Sequence, residues 1–115
     1  MQINRFVEQL LNPLQIPITE NQFIPFLDRP VPSPPYIVYV VVSEETDGAD
    51  FDPAGIINVD INVELYSEKR DRIIEDKIAK TLSDNNIDFE KSYVYIESEE
   101  LHKTTFYISI IKKEL

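Results

Sequence analysis

Ile57-Asn58-Val59-Asp60-Ile61-Asn62-Val63-Glu64-Leu65-Tyr66-Ser67, with the run that follows it to Asn85, decides the fold, because the hydrophobic period changes inside it. Ile57, Val59, Ile61, Val63 and Leu65 alternate with Asn58, Asp60, Asn62 and Glu64, the period of two of a half-buried strand. After Ser67 the spacing becomes helical. Ile74, Ile78 and Leu82, with Ile73 and Ala79 beside them, make one apolar stripe. Ser67 is placed to cap the helix, with Glu68 in its first turn. Glu68–Arg72 and Asp76–Lys80 form i,i+4 pairs on the wet side, and Asp84-Asn85-Asn86 ends the helix. Strand and helix each have one face to bury, and the spacing predicts that they bury it against each other.

Working outward, Ile3, Phe6, Val7, Leu10 and Leu11 fall on one helical face, so residues 1–12 read as an amphipathic helix stopped by Asn12-Pro13. Residues 13–35 hold seven of the eight prolines among many apolar residues, too apolar for a disordered linker. They read as an extended strap across the domain, with room for a short strand near Gln15 to Thr19. Residues 36–66 read as a strand pair, Tyr36–Ser43 and the Ile57 strand, joined by an acidic loop from Glu44 to Pro53. Residues 67–84 are the helix, and residues 92–112 a second strand pair, Ser92–Ser98 and Thr104–Lys112. The expectation is one α+β domain over residues 1–115: a four-stranded, mainly antiparallel sheet with helices packed on it, in the order α-β-β-α-β-β.

Composition narrows the function. With 21 acidic against 11 basic residues the net charge is −10, which disfavours a phosphate backbone or an anionic membrane surface as partner. There is no cysteine, hence neither a disulfide framework nor a thiolate metal site. The first residues lack the basic start and apolar run of a signal peptide, and Tyr36–Val42 is too short to span a membrane.

Catalytic sets are thin. His102, the sole histidine, falls in the expected hairpin turn with only Ser98, Thr104 and Thr105 as nearby hydroxyls, so it reads as a solvated turn residue. Asp47, Asp50 and Asp52 miss the spacing of a calcium loop. Neither a phosphate-cradling motif nor a basic patch appears. The reading is a chain that is not an enzyme, with neither catalytic, cofactor nor metal residues.

The tyrosines are more informative. Val38, Val40 and Val42 are expected to face the helix, leaving Tyr39 and Val41 outward. Val94 and Ile96 inward would leave Tyr93 and Tyr95 outward, and Phe106, Ile108 and Ile110 inward would leave Tyr107 and Ile111 outward. Tyr39, Val41, Tyr93, Tyr95, Tyr107 and Ile111 are therefore candidate subunit-interface residues, since tyrosine joins apolar area to a water-tolerant hydroxyl. Glu44, Glu45, Asp47, Asp50 and Asp52 are candidates for a channel or docking loop.

Ile16-Pro17-Ile18 after a first helix, Pro35-Tyr36-Ile37-Val38-Tyr39, Val63-Glu64-Leu65-Tyr66-Ser67-Glu68-Lys69-Arg70-Asp71 leading into a helix, and Phe89 through Tyr95-Ile96-Glu97-Ser98-Glu99 resemble the tail terminator (tail completion, or head–tail joining) proteins of long-tailed phages. The resemblance covers most of the chain by pattern and order. It implies a non-enzymatic α+β subunit of a hexameric ring in the virion, assembled in the host cytoplasm. The ring would cap the tail tube and dock onto the head connector proteins, with DNA only as passing cargo. An electronegative wall would let DNA slide where a basic one would grip it. The proline strap and acidic loop match no hallmark of that family. Two other readings compete: an acidic DNA mimic or other protein-binding module, and a small α+β enzyme. Mimicry needs carboxylates in two spaced rows, and an enzyme needs a pocket of convergent polar groups.

Overall fold

The computed structural model describes residues 2–23, 31–46 and 56–113. Helix α1 (Ile3–Leu11) runs into a short 3-10 turn, Asn12–Leu14. Strand β1 (Ile18–Glu20), strands β2 (Tyr36–Thr46) and β3 (Ile56–Ser67), helix α2 (Arg72–Asp84), and strands β4 (Phe89–Ile96) and β5 (Leu101–Lys113) follow. The sheet has five strands in the order β1-β2-β3-β5-β4. β1 pairs parallel with β2, and every other neighbour is antiparallel. The class is α+β as expected. The strap contributes β1, the short strand for which it had room near Gln15 to Thr19, so the expected four strands are corrected to five.

Both helices pack on one face of the sheet. Val59, Ile61, Val63 and Leu65 of β3 meet Ile3, Val7 and Leu11 of α1 and Ile78 and Leu82 of α2 in one core. The alternation in β3 sets this face, and its neighbours follow by register. Val59 lies opposite Ile110, Ile61 opposite Ile108 and Val63 opposite Phe106, all buried.

Two local readings change. β3 continues through Ser67, which is buried opposite His102 on the sheet, so Ser67 does not cap the helix. Asp71 does, its carboxylate accepting from the Ile74 N–H at 3.1 Å. The helix starts at Arg72, once the chain has cleared the ladder, so Glu68 precedes it. Ile73 is 70% exposed and off the stripe, and Lys80 pairs with Asp84 at 2.7 Å.

The second correction concerns β2. Ile37, Tyr39 and Val41 face the helices, and Val38 and Val40 lie on the opposite side. Tyr36–Val42 is apolar at both parities, so its own pattern cannot choose a face. Pairing chooses: Ile37 sits opposite Leu65, Tyr39 opposite Val63 and Val41 opposite Ile61. A register shift between Val41 and Ser43 marks a bulge, and Val42 within it is exposed.

Candidate interaction surface

The residues expected to form one outward tyrosine face are dispersed. Tyr39 is fully buried, and its hydroxyl donates to Glu8 Oε2 of α1 at 2.5 Å with the Asn4 carbonyl nearby. Burial, and then the Glu8 carboxylate, raise its pKa above the usual tyrosine value. Tyr39 is thus a core residue that ties α1 to the sheet. Val41 is half-buried against the same core. Tyr107 and Ile111 are exposed on the helix-free face, where Tyr107 shares a 3.0 Å hydrogen bond with Ser92. Glu44 and Glu45 belong to β2, whose ladder continues to Thr46 opposite Ile57, so the loop starts later than expected. Both are exposed at the end of the strand. Asp47, Asp50 and Asp52 lie outside the described residues.

Tyr93 and Tyr95 are exposed, but on the helix side of β4, in register with Thr104 and His102 of β5. There they build a compact group at the N-terminal end of α2. The Arg70 guanidinium lies 4.0 Å from the centroid of the Tyr93 ring. His102 stacks near Tyr93 at 5.7 Å and lies 4.8 Å from Tyr95. The Tyr93 hydroxyl and His102 Nδ1 share a hydrogen bond. His102 is consequently a half-buried strand residue, not a solvated turn residue. The β4–β5 turn, Glu97–Glu100, ends before it.

This group stands on a buried charge. Glu75 of α2 is 1% exposed, with Lys91 Nζ at 2.8 Å and Arg70 Nε at 3.2 Å. Burial alone would raise the Glu75 pKa, but hydrogen bonds from Lys91 and Arg70 outweigh it and hold the carboxyl below its ordinary value. Arg70 therefore has two roles: it neutralises Glu75 and covers Tyr93.

On the helix-free face an aromatic row crosses the strands. Phe23 meets the edge of Tyr36 at 5.3 Å, and Tyr36 stacks on Tyr66 at 5.3 Å. Glu64 accepts from the Tyr66 hydroxyl at 3.0 Å and pairs with Lys103 at 3.4 Å. A hollow of about 770 Å³ lies beside Asp60, Asn62, Glu90 and Tyr107. Asp60 there already accepts from Ser109 and Ser43, at 2.5 and 2.9 Å, and those bonds lower its pKa. Among the described residues, His, Cys, Asp and Glu side chains nowhere gather in a metal-binding group of three. None of the described helices is long and apolar enough to cross a membrane.

What the sequence reading missed is Val94. Expected inward, it is 51% exposed on the helix-free face of β4. β4 is the last strand of the sheet, its outer edge is unpaired among the described residues, and Glu90 to Tyr95 are exposed on both of its faces. An eight-residue edge carrying Tyr-Val-Tyr-Ile is a surface that natural proteins cover or blunt. Compared with known proteins, the chain matches neither a family model nor a curated sequence.

Proposed function

We propose that this chain is a non-enzymatic structural subunit of a phage or prophage head–tail junction, forming a ring that terminates the tail tube and joins it to the head. The single observation that carries an assembly role is the open β4 edge, with Tyr93, Val94 and Tyr95 exposed around it. The resemblance to tail terminator proteins supplies the identity of the assembly, and with it the hexameric ring and the tail tube and head connector as partners. Tyr107 and Ile111 extend the contact surface across the helix-free face, and Glu44 and Glu45 are available to line a channel or to dock. A wall of the same sign as DNA lets it pass without gripping it.

Two observations weigh against the competing readings. On the helix-free face, Asp60 and Glu64 are interleaved with Asn62, Tyr66 and Lys103, where a DNA mimic needs unbroken rows of carboxylates. Glu75, a buried carboxylate, is already neutralised by two cations and is spent on the fold. The test is genetic. Particles made without this protein should carry tails of wrong length or heads left unjoined, and normal, joined virions in its absence overturn the assignment.

A further inference from the structure

The two edges of the sheet are unequal. β1 offers three residues. The Pro17 carbonyl accepts from Ile37 and the Asn21 N–H donates to Tyr39, so the backbone groups at these positions turn toward β2. That leaves only Ile18 and Glu20 turned outward, and the Glu20 carbonyl already accepts from the Gln22 N–H. This edge is blunted. β4 is eight residues long, lacks proline, and keeps side chains exposed on both faces. A second copy of the chain therefore offers one edge of matching length, which is β4 itself.

Symmetry restricts how two β4 strands can meet. Outward-turned backbone groups alternate along a strand, so an antiparallel two-fold axis must pass through a residue and not between two. Centred on Ser92, the axis sets Lys91 against Tyr93 and Glu90 against Val94. Centred on Tyr93, it sets Lys91 against Tyr95 and Glu90 against Ile96. Centred on Val94, it sets Ser92 against Ile96, Tyr93 against Tyr95 and Val94 against itself, all within β4. Of the three, only the last register sets no charged side chain against an apolar or aromatic one, while it pairs aromatic with aromatic and apolar with apolar. We infer that two copies of this chain join edge to edge through β4 about a two-fold axis at Val94, continuing one sheet with the helices of both copies on the same side.

The inference rests on reading the chain as an assembly subunit, but it describes the free protein. A two-fold contact makes the two sides of a ring alike, whereas a junction ring meets the head on one side and the tail on the other. The pair therefore opens when the ring forms, and until then it covers an edge that would otherwise aggregate. Each copy carries a net charge of −10, so pairing strengthens as salt is raised toward physiological strength, where charges are screened beyond about 8 Å.

The absence of native cysteine makes the register directly testable. Val94→Cys gives each copy one thiol at an exposed position, and directly opposed strand residues approach closely enough for a disulfide. Mild oxidation of the purified full chain should convert Val94→Cys to a covalent dimer, while Ser92→Cys and Ile96→Cys, displaced from their own mates, stay reduced. Light scattering of the parent should give twice the chain mass. Val94→Lys, which sets Lys opposite Lys at the axis, should weaken pairing by about tenfold. A parent that stays monomeric across salt and concentration overturns the inference. So does a disulfide at Ser92 or Ile96 in preference to Val94, or a free hexamer without the Val94 disulfide. Failed head–tail joining without the protein, combined with no Val94 disulfide, would refute the pair and leave the ring reading standing. A Val94 disulfide together with normal particles lacking the protein would do the reverse.

Discussion

Glu75→Gln is the perturbation that tests most of the reasoning about how β4 is held. The parent carboxylate is 1% exposed and lies 2.8 Å from Lys91 and 3.2 Å from Arg70, joining α2, the β3–α2 connection and β4. Breaking a buried pair by removing one partner costs about 3–5 kcal/mol when the other charge is left stranded. Here the stranded cations keep 30% and 34% of their side chains exposed, so water recovers part of that loss. We place the cost at about 2 kcal/mol at pH 7. With a urea slope of roughly 1–3 kcal/mol per M, the unfolding midpoint falls by about 1 M.

The pH dependence has a definite sign. The folded pKa of Glu75 lies below its ordinary value of about 4.5, so its contribution is fully present above that value and is lost as pH falls through the folded one. The gap between parent and Glu75→Gln midpoints should therefore be constant from neutral pH down to about 5 and should close under acid. A variant as stable as the parent at pH 7 would refute the claim that the cluster holds β4. A gap unchanged by acid would show that Glu75 acts through packing and not through charge.

Other substitutions test separate parts of the fold. Ile78→Asp should abolish cooperative unfolding in thermal melts, because it buries a charge without a partner, whereas Asp76→Ala on the exposed face should cost no more than about 0.5 kcal/mol. Asp71→Ala should cost about 1 kcal/mol in urea melts, since it removes the side chain that caps Ile74 N–H. Tyr39→Phe should cost about 1.5–3 kcal/mol by the same measurement, losing a buried hydroxyl bonded to the Glu8 carboxylate; no change would return Tyr39 to the list of surface residues.

Legibility in the sequence followed contrast. β3 was readable residue by residue because Val59, Ile61, Val63 and Leu65 are separated by Asp, Asn and Glu, so only one parity can be buried. α2 was readable for the same reason from Ile74, Ile78 and Leu82, although its start was not. Ser67 is a good cap in isolation, but β5 offers His102 opposite it, and a ladder bond on a buried face outranks a cap at an exposed one. β2 and β4 lack contrast altogether. Ile37-Val38-Tyr39-Val40-Val41 and Tyr93-Val94-Tyr95-Ile96 can be buried at either parity, and in both the expected parity was reversed.

The open edge was harder to foresee, because it depends on strand order and not on any residue. A sheet ordered β3-β4-β5 would have placed Tyr93 to Ile96 in its interior and left β5 outside. One signal was nonetheless present. The run ending at Lys112 is longer than the run ending at Ser98, as β5 at thirteen residues is longer than β4 at eight. A long strand placed inside has backbone partners on both sides, whereas a long strand at the edge leaves one whole row exposed. Twelve-residue β3 therefore pairs most fully with β5, and the shorter β4 is left at the margin. The tyrosines mark the surface only once that length argument has placed their strand. Tyrosine occurs here both in the core at Tyr39 and at the edge at Tyr93, and what separates the two is the presence of a neighbouring strand.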